Sequence, residues 1–308
     1  MNQIPHLQNM PRHLRELAAQ RQLYAKAKQV FGWQFVVAGP LTCILGVSAL
    51  AFPNIKEFIA LWGIVVVLVD LFWVTPWQKR LRENAAKIQE LFDCAVLGLT
   101  WNPLKTGPEP EPELIKEQAD LYEPRRSQMP PLENWYPVSV GELPLRLGRL
   151  ICQRSNCWWD SKQRRHYAGF ILFLTITIFV TVLLLALKGG LLLSDFLLQV
   201  VAPMSPVLLF GLRQFCDQRD SANRLDKLKT HAETTWKKAL VSEDGAEAES
   251  RNLQDEIFEN RKKAPPVLDR LFRRLRNNFE AQMNHSSEHY VAEAEQALNA
   301  NAPHLPEL

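Results

Sequence analysis

Four windows of the chain, at 31–52, 58–77, 167–187 and 191–212, are almost purely apolar, and nearly every charge falls outside them. Each is close to the roughly 20 residues a helix needs to cross a hydrocarbon core of about 30 Å. Five residues, Pro53-Asn54-Ile55-Lys56-Glu57, separate the first pair, and Lys188-Gly189-Gly190 separate the second. Turns this short carry no folded domain, so the pattern predicts two tight helical hairpins. The first and third windows hold no ionisable group apart from the boundary Tyr167, while the second and fourth hold one carboxylate each, Asp70 and Asp195. Insertion tolerates one such group at a cost of about 3 kcal/mol. The first thirty residues are polar and basic rather than an apolar stretch with a cleavage site, so the first window is expected to stay as an anchor.

Outside the windows the apolar positions change period. Leu14, Leu17, Tyr24 and Ala27 interrupt a basic surface and predict a helix over 11–30 running along the membrane interface. Leu81, Ala85, Ile88, Phe92 and Ala95 follow the second window at helical steps, as Phe215, Ala222, Leu225, Ala232, Trp236 and Ala239 follow the fourth. Both helices are expected to leave the same membrane face and to bury their stripes against each other in a stalk. From 100 to 167 repeated prolines argue against long helices, while Trp101, Tyr122, Trp135, Tyr136, Trp158 and Trp159 supply anchors, which reads as an ordered but irregular cap. The acidic stretch 109–113 and the small, charged residues of 242–250 read as disordered joints. A last helix after Pro265-Pro266 carries Leu268, Leu271, Phe272, Leu275 and Phe279 on one face and must dock on the stalk or on a second subunit.

The expected fold is thus an all-α membrane protein: a basic helix (1–30), a hairpin (31–77), a helix and Pro/Trp-rich cap (78–166), a second hairpin (167–212) and a helical tail (213–308). The formal net charge of +3 says little, but its placement says more. Lys and Arg cluster before the first and third windows and after the second and fourth, whereas the two outer turns hold one lysine each. The positive-inside rule then puts both termini and the polar mass in the cytoplasm of a multi-pass inner-membrane protein. Trp33, Trp62, Trp73 and Trp77 lie towards the window ends, where an amphipathic ring prefers the interface. Five scattered cysteines make no disulfide framework and are expected to be free thiols.

Motifs for catalysis are missing: there is no phosphate-binding glycine loop, no G-x-S-x-G and no H-E-x-x-H, so the chain is not expected to be an enzyme or to hold a cofactor. His285 and His289 flank Glu288 without an evident third ligand, and no metal site is expected. The basic excess is too small for nucleic-acid binding. Asp70 reads either as a residue of a water-filled path or as a carboxylate hydrogen-bonded to Thr42, Ser48 or Gln199. Asp195, in the first turn of its window, reads as interfacial. Pro40, Pro203 and Pro206 would kink the first and fourth spans, a feature of gating helices and of static ones alike. The densest polar run holds Gln153, Arg154, Asn156, Trp159, Asp160, Arg164 and Arg165. Guanidinium forks beside amides and aromatic faces suit a phosphorylated, base-bearing ligand. Equally, Arg164 and Arg165 read as a positive-inside anchor and Asp160 as a helix cap.

With these features the chain resembles the SMODS-associated four-transmembrane effector family, found with second-messenger nucleotide synthetases in bacterial antiphage (CBASS-type) defence. The resemblance rests on the hairpin pairs, Leu91-Phe92-Asp93-Cys94 through Trp101-Asn102, Asp120-Leu121-Tyr122, Ile151-Cys152-Gln153-Arg154-Ser155-Asn156 with Trp159-Asp160 and Arg164-Arg165, and Leu253-Gln254-Asp255-Glu256-Ile257-Phe258. It implies an effector that a cyclic di- or oligonucleotide activates on its cytoplasmic part and whose spans then disrupt the inner membrane as a pore. It does not assign the residues that bind the messenger. A homo-oligomer in the lipid bilayer is expected because four spans with so few polar residues enclose no pore alone. A constitutive channel or transporter and a membrane-anchored scaffold are the rival readings.

Overall fold

The computed structural model of the chain describes residues 1–37, 41, 44–45, 48, 54, 56–188, 190, 192, 194, 202–242, 244–267 and 269–300. Among them every regular element is helical: α1 (Ile4–Leu7), α2 (Pro11–Val36), α3 (Lys56–Val69), a π-helical turn (Asp70–Val74), α4 (Thr75–Leu97), α5 (Pro103–Thr106), α6 (Pro112–Tyr122), 3-10 turns at Glu123–Gln128 and Val138–Glu142, α7 (Leu145–Lys188), α8 (Ala202–Val241), α9 (Ala246–Lys263) and α10 (Asp269–Ala300).

Two of the expected spans stand out. The helices over Leu61–Leu97 and Leu145–Leu184 are long and apolar enough to cross a membrane, and only 6% and 11% of their apolar windows are buried. Phe58, Phe72, Phe173 and Leu187 are each more than half exposed, a surface that water would penalise and lipid would not. The chain is a membrane protein. Half of 31–52 and most of 191–201 lie outside the described residues, as do Pro40 and Asp195.

Pro76 does not end its helix. A proline in a regular α-helix clashes with the carbonyl four residues before it; here the π turn immediately upstream widens the helix, and α3 runs on into α4. The cap is less irregular than its prolines suggested. Pro144 is the last of them, and from Leu145 nothing interrupts a single helix of 44 residues, about 66 Å long, that carries the polar run straight into the membrane segment. Asp160 therefore sits in mid-helix and caps nothing.

The stalk is also built differently. α4 packs chiefly on α2, and α8 on α7, while α9 sits against both α4 and α8. The apolar stripe of α9, Leu253 and Ile257, meets Leu225 and Ala232 of α8. α2 is not a surface helix: Leu17, Ala19, Leu23 and Ala27 are buried because it is clamped between α4 and α6. The stretch 109–113 leads directly into α6, and Gly245, at φ +74°, makes the sharp entry into α9. α10 docks on α7, with Phe279 edge-to-face against Trp158 and Trp159.

Two polar devices fix the cap. Arg149 donates to the carbonyls of Leu97 (2.7 Å) and Gly98 (2.8 Å), satisfying the end of α4, where Gly98 is left-handed. The N-terminal residues are stitched to the stretch before α7. Asn2 donates to Val140 and Leu143, and Gln8 exchanges hydrogen bonds with the Tyr136 backbone. These bonds hold the Trp135–Tyr136 corner in place.

Candidate functional site

α2, α4, α7, α9, the start of α10 and the 129–136 stretch enclose a cavity of about 310 Å³, within the size range of small-molecule sites. Its walls hold six cations, Arg21, Lys28, Arg82, Arg164, Arg261 and Arg276, and three carboxylates, Glu133, Asp160 and Glu280. Tyr24, Trp135, Tyr136 and Trp159 bring aromatic faces to the same space.

The cations differ in what neutralises them. Arg261 donates to Asp93 (2.6 Å), Arg164 to Asp160 (3.0 Å) and Arg276 to Glu280 (3.2 Å). Glu133 is held by Arg126 (2.7 Å) outside the cavity. Arg21 instead donates to the Pro130 and Pro131 carbonyls and the Tyr122 hydroxyl, with its guanidinium 5.5 Å from the centre of the Trp135 ring. Arg82 donates to the Lys263 and Ala264 carbonyls. Burial lowers the pKa of both groups, outweighing the charges of Glu133 near Arg21 and Asp217 near Arg82. Arg82 Nε and Arg276 Nη1 are buried without a hydrogen-bond partner. Burial also pushes the Tyr24 phenol up to about 12, so it faces the cavity as a neutral donor.

Behind one wall lies a buried polar network built from the segments that carry the family resemblance. Asn156 donates to the Tyr136 hydroxyl (2.9 Å), which donates to Asp93 (2.6 Å). Gln254 bridges Asp93 (2.9 Å) and Glu90 (2.8 Å), and Arg251 joins Glu90 (2.6 Å) to Asp255 (2.8 Å). Asn102 donates to Asp255 (2.7 Å). Burial, which alone would lower the Arg261 pKa, is outweighed by Asp93, and the guanidinium is held above its usual range. Burial and the nearby Asp93 charge push Glu90 up. These motif residues set the geometry of Tyr136, Asn156 and Arg261 at the cavity surface.

Of the polar run on α7, Asn156, Trp159, Asp160 and Arg164 line the cavity. The other three face elsewhere. Gln153 is fully buried against Ser250 and Gln254, Arg154 pairs with Glu233 and stacks on Tyr290, and Arg165 pairs with Asp226 of α8. Arg164 is no outward anchor: it is 8% exposed and also donates to Gln218 (2.8 Å) and the Pro265 carbonyl (2.9 Å). Asp70 lies in the π turn and accepts from Gln34 (2.7 Å) and Thr75 (3.3 Å). Thr42 and Gln199, its expected partners, lie outside the described residues, and Ser48 donates to Ile44 instead. Pro203 and Pro206 fall within α8. Among the described residues no three metal-binding side chains come together, His285 and His289 included. Cys94, Cys152 and Cys157 are free and buried, as expected; Cys43 is outside the described residues.

Sequence reasoning counted Arg21 and Arg82 as membrane-flanking charges and missed Tyr24, Arg261 and Arg276. The signal was there: Arg21 lies on the stripe of Leu17 and Tyr24, and Arg261 is one turn beyond Ile257. A cation on the buried stripe of a helix needs a partner, and here the partners line a cavity.

The profile of the SMODS-associating 4TM effector domain matches residues 2–290 of the chain. A curated protein named "Probable CBASS effector molecule IK1_05631", from Bacillus cereus (strain VD146), is 23% identical over 259 residues, which cover 82% of this chain and 85% of that protein. No solved structure matches the chain.

Proposed function

The chain belongs to the SMODS-associating 4TM effector family, and from that premise we propose that it is a non-enzymatic membrane effector of a CBASS-type antiphage system. In this reading a cyclic di- or oligonucleotide enters the cavity, and the four spans of a homo-oligomer then open the inner membrane as a pore. Both termini and the polar body face the cytoplasm, where such a messenger is made.

The observation that carries the reading is the chemistry of the cavity. Arg21 and Arg82 are half-buried, give their hydrogen bonds to carbonyls and a hydroxyl rather than to a carboxylate, and line the same space as Tyr24, Trp135 and Trp159, the combination that phosphates and bases require. A phosphate accepting from Arg82 would compete with the Lys263 and Ala264 carbonyls, and one accepting from Arg164 with the Pro265 carbonyl. Gln218 holds the same Pro265–Pro266 segment to α8 (2.9 Å to the Pro266 carbonyl). Ligand binding would in this way loosen a strap fastened to α4, α7 and α8 together and favour a second arrangement of the spans. Burial pushes Cys94 and Cys157 up to about 12, far from a reactive thiolate, so neither serves as a nucleophile in this reading.

The test is dye release from liposomes containing the purified full chain, with and without a panel of cyclic di- and oligonucleotides. Release with one nucleotide alone is expected. Release without any nucleotide would favour a constitutive channel, and none under any condition a scaffold.

A further inference from the structure

A second cavity, of about 480 Å³, shares Arg82, Pro265 and Pro266 with the first as a common wall. Its lining changes character along the chain's approach to the membrane. On α8 it runs from Phe210 through Arg213, Gln214, Asp217 and Asp220 to Arg224, a rise of about 20 Å. On the α3–α4 helix it runs from Val66 and Val67 through Asp70 and Gln78 to Arg82. Both linings therefore start apolar and end in a cation, Arg224 or Arg82, with charged and amide side chains between them: Asp70 comes ahead of Gln78, and Arg213 ahead of Gln214. A phospholipid likewise passes from apolar chains to a charged headgroup.

Orphaned polar atoms converge on the same place. Gln78 is 7% exposed, yet its Nε2 has no hydrogen-bond partner. Gln214 Oε1 and Arg82 Nε are also buried and unpartnered, so three of the eight such atoms among the described residues belong to this one lining. Buried polar groups are left unpaired at a cost, and a cluster of them points to a ligand that completes the set. The set is mixed: the donors Gln78 and Arg82, with the exposed Arg213, call for a phosphate, while Arg224 donates to Asn260 (3.2 Å) and Lys263 pairs with Glu259 (2.8 Å). The acceptor Gln214 Oε1, with Asp217 and Asp220, calls for a hydrogen-bond donor. Asp217 is only loosely engaged, 4.0 Å from an Arg213 side chain that is 83% exposed.

We propose that this cavity binds the headgroup of one phospholipid of the adjoining leaflet, of the class that carries a phosphate and an ammonium donor, phosphatidylethanolamine. The inference goes beyond the effector reading and does not depend on the first cavity taking a nucleotide. Because Arg82 belongs to both linings, a bound lipid also fixes the guanidinium that faces the first cavity.

The measurement is the thermal unfolding midpoint of the full chain in a non-ionic detergent, followed by tryptophan fluorescence, without nucleotide. The additives are dioctanoyl phosphatidylethanolamine, dioctanoyl phosphatidylcholine and O-phosphoethanolamine. The first should raise the midpoint by about 2–4 °C for each tenfold excess beyond half-saturation. The second, whose methylated ammonium cannot donate, and the third, which lacks chains, should each need at least about tenfold more for the same shift. The double variant Gln78→Leu, Gln214→Leu removes orphaned atoms rather than contacts, so it should fold and lose the phosphatidylethanolamine response. Equal shifts with phosphatidylcholine or with O-phosphoethanolamine, or an undiminished response in the folded variant, would overturn the proposal. None of these outcomes bears on nucleotide-gated dye release.

Discussion

Arg82 belongs to both cavities, and its guanidinium donates to main-chain carbonyls rather than to a carboxylate. Replacing it with Gln keeps a donor but removes the charge. A charge-assisted hydrogen bond is worth about 1.5–3 kcal/mol, so Arg82→Gln should raise the nucleotide concentration for half-maximal dye release at least about tenfold. Release at the wild-type concentration would remove Arg82 from the site. Asp93 makes the opposite kind of prediction. It neutralises an Arg261 side chain that is 9% exposed, so Asp93→Asn leaves a buried charge unpaired and should cost about 3–5 kcal/mol. Denaturant unfolding in detergent reads that loss, and wild-type stability would contradict the pairing. The dense polar run on α7 made Asn156, Trp159, Asp160 and Arg164 legible as candidates from sequence. Residue type did not say which way each side chain points: Gln153, one turn before Cys157, is spent on α9, and Arg165 on α8. Arg21 was hidden for a different reason. A cation among apolar residues near a span reads as a membrane anchor, and only the fold puts Trp135, from more than a hundred residues away, beneath it.

At the scale of elements, α7 and α8 form the most extensive helix pair among the described residues, and two more contacts join the Arg154–Glu233 and Arg164–Gln218 pairs in fixing it. Gly211 lies so close to Thr175 that a β-carbon there would collide with the threonine side chain, the close approach small residues permit between membrane helices. Gly211→Val should force the pair apart, lowering the thermal midpoint and raising nucleotide-independent leakage; a variant unchanged in both would show that the crossing is not constrained there. Towards the polar body, Asp226 accepts from Ser161 (2.6 Å) and pairs with Arg165. Desolvation alone would raise its pKa, but these donors outweigh it and hold the carboxyl below its ordinary value. A depressed folded pKa contributes stability that is present above the unfolded value, about 3.9, and is lost as the pH falls through the folded one. The clasp should hold at neutral pH and release only in stronger acid, and Asp226→Asn should flatten that part of a stability-against-pH curve. Helical periodicity made the elements following both hairpins readable, along with the last helix. It did not reveal their partners, since an amphipathic stripe shows that something covers it without saying what. Leu225 and Ala232 are covered by α9, whose own stripe of Leu253 and Ile257 is too short to dominate a sequence reading.

For the whole molecule the decisive quantity is orientation, because a cavity for a cytoplasmic messenger is useful on one side of the membrane only. The apolar windows and the Lys/Arg bias were legible in the sequence, and α3 and α7 carry two of the windows as exposed apolar helices; the other two lie in part among residues the structure does not describe. The chain holds its own probe of orientation. Among the described cysteines Cys216 is exposed on α8, four residues past the last apolar window, while Cys94, Cys152 and Cys157 are buried. Burial also raises the pKa of all three buried thiols, which suppresses the reactive thiolate. In a Cys43→Ser background, a membrane-impermeant maleimide should therefore label folded protein at Cys216. The positive-inside bias predicts labelling in inverted vesicles and protection in right-side-out ones. Cys216→Ser should abolish the signal, which separates true labelling from reaction at a transiently opened thiol. Labelling in right-side-out vesicles alone would place α8, the Pro265–Pro266 strap and both cavities outside the cell. No cytoplasmic nucleotide would then reach Arg21 and Arg82, and the effector mechanism would fail at the level of the whole molecule however well its residues fit a phosphate.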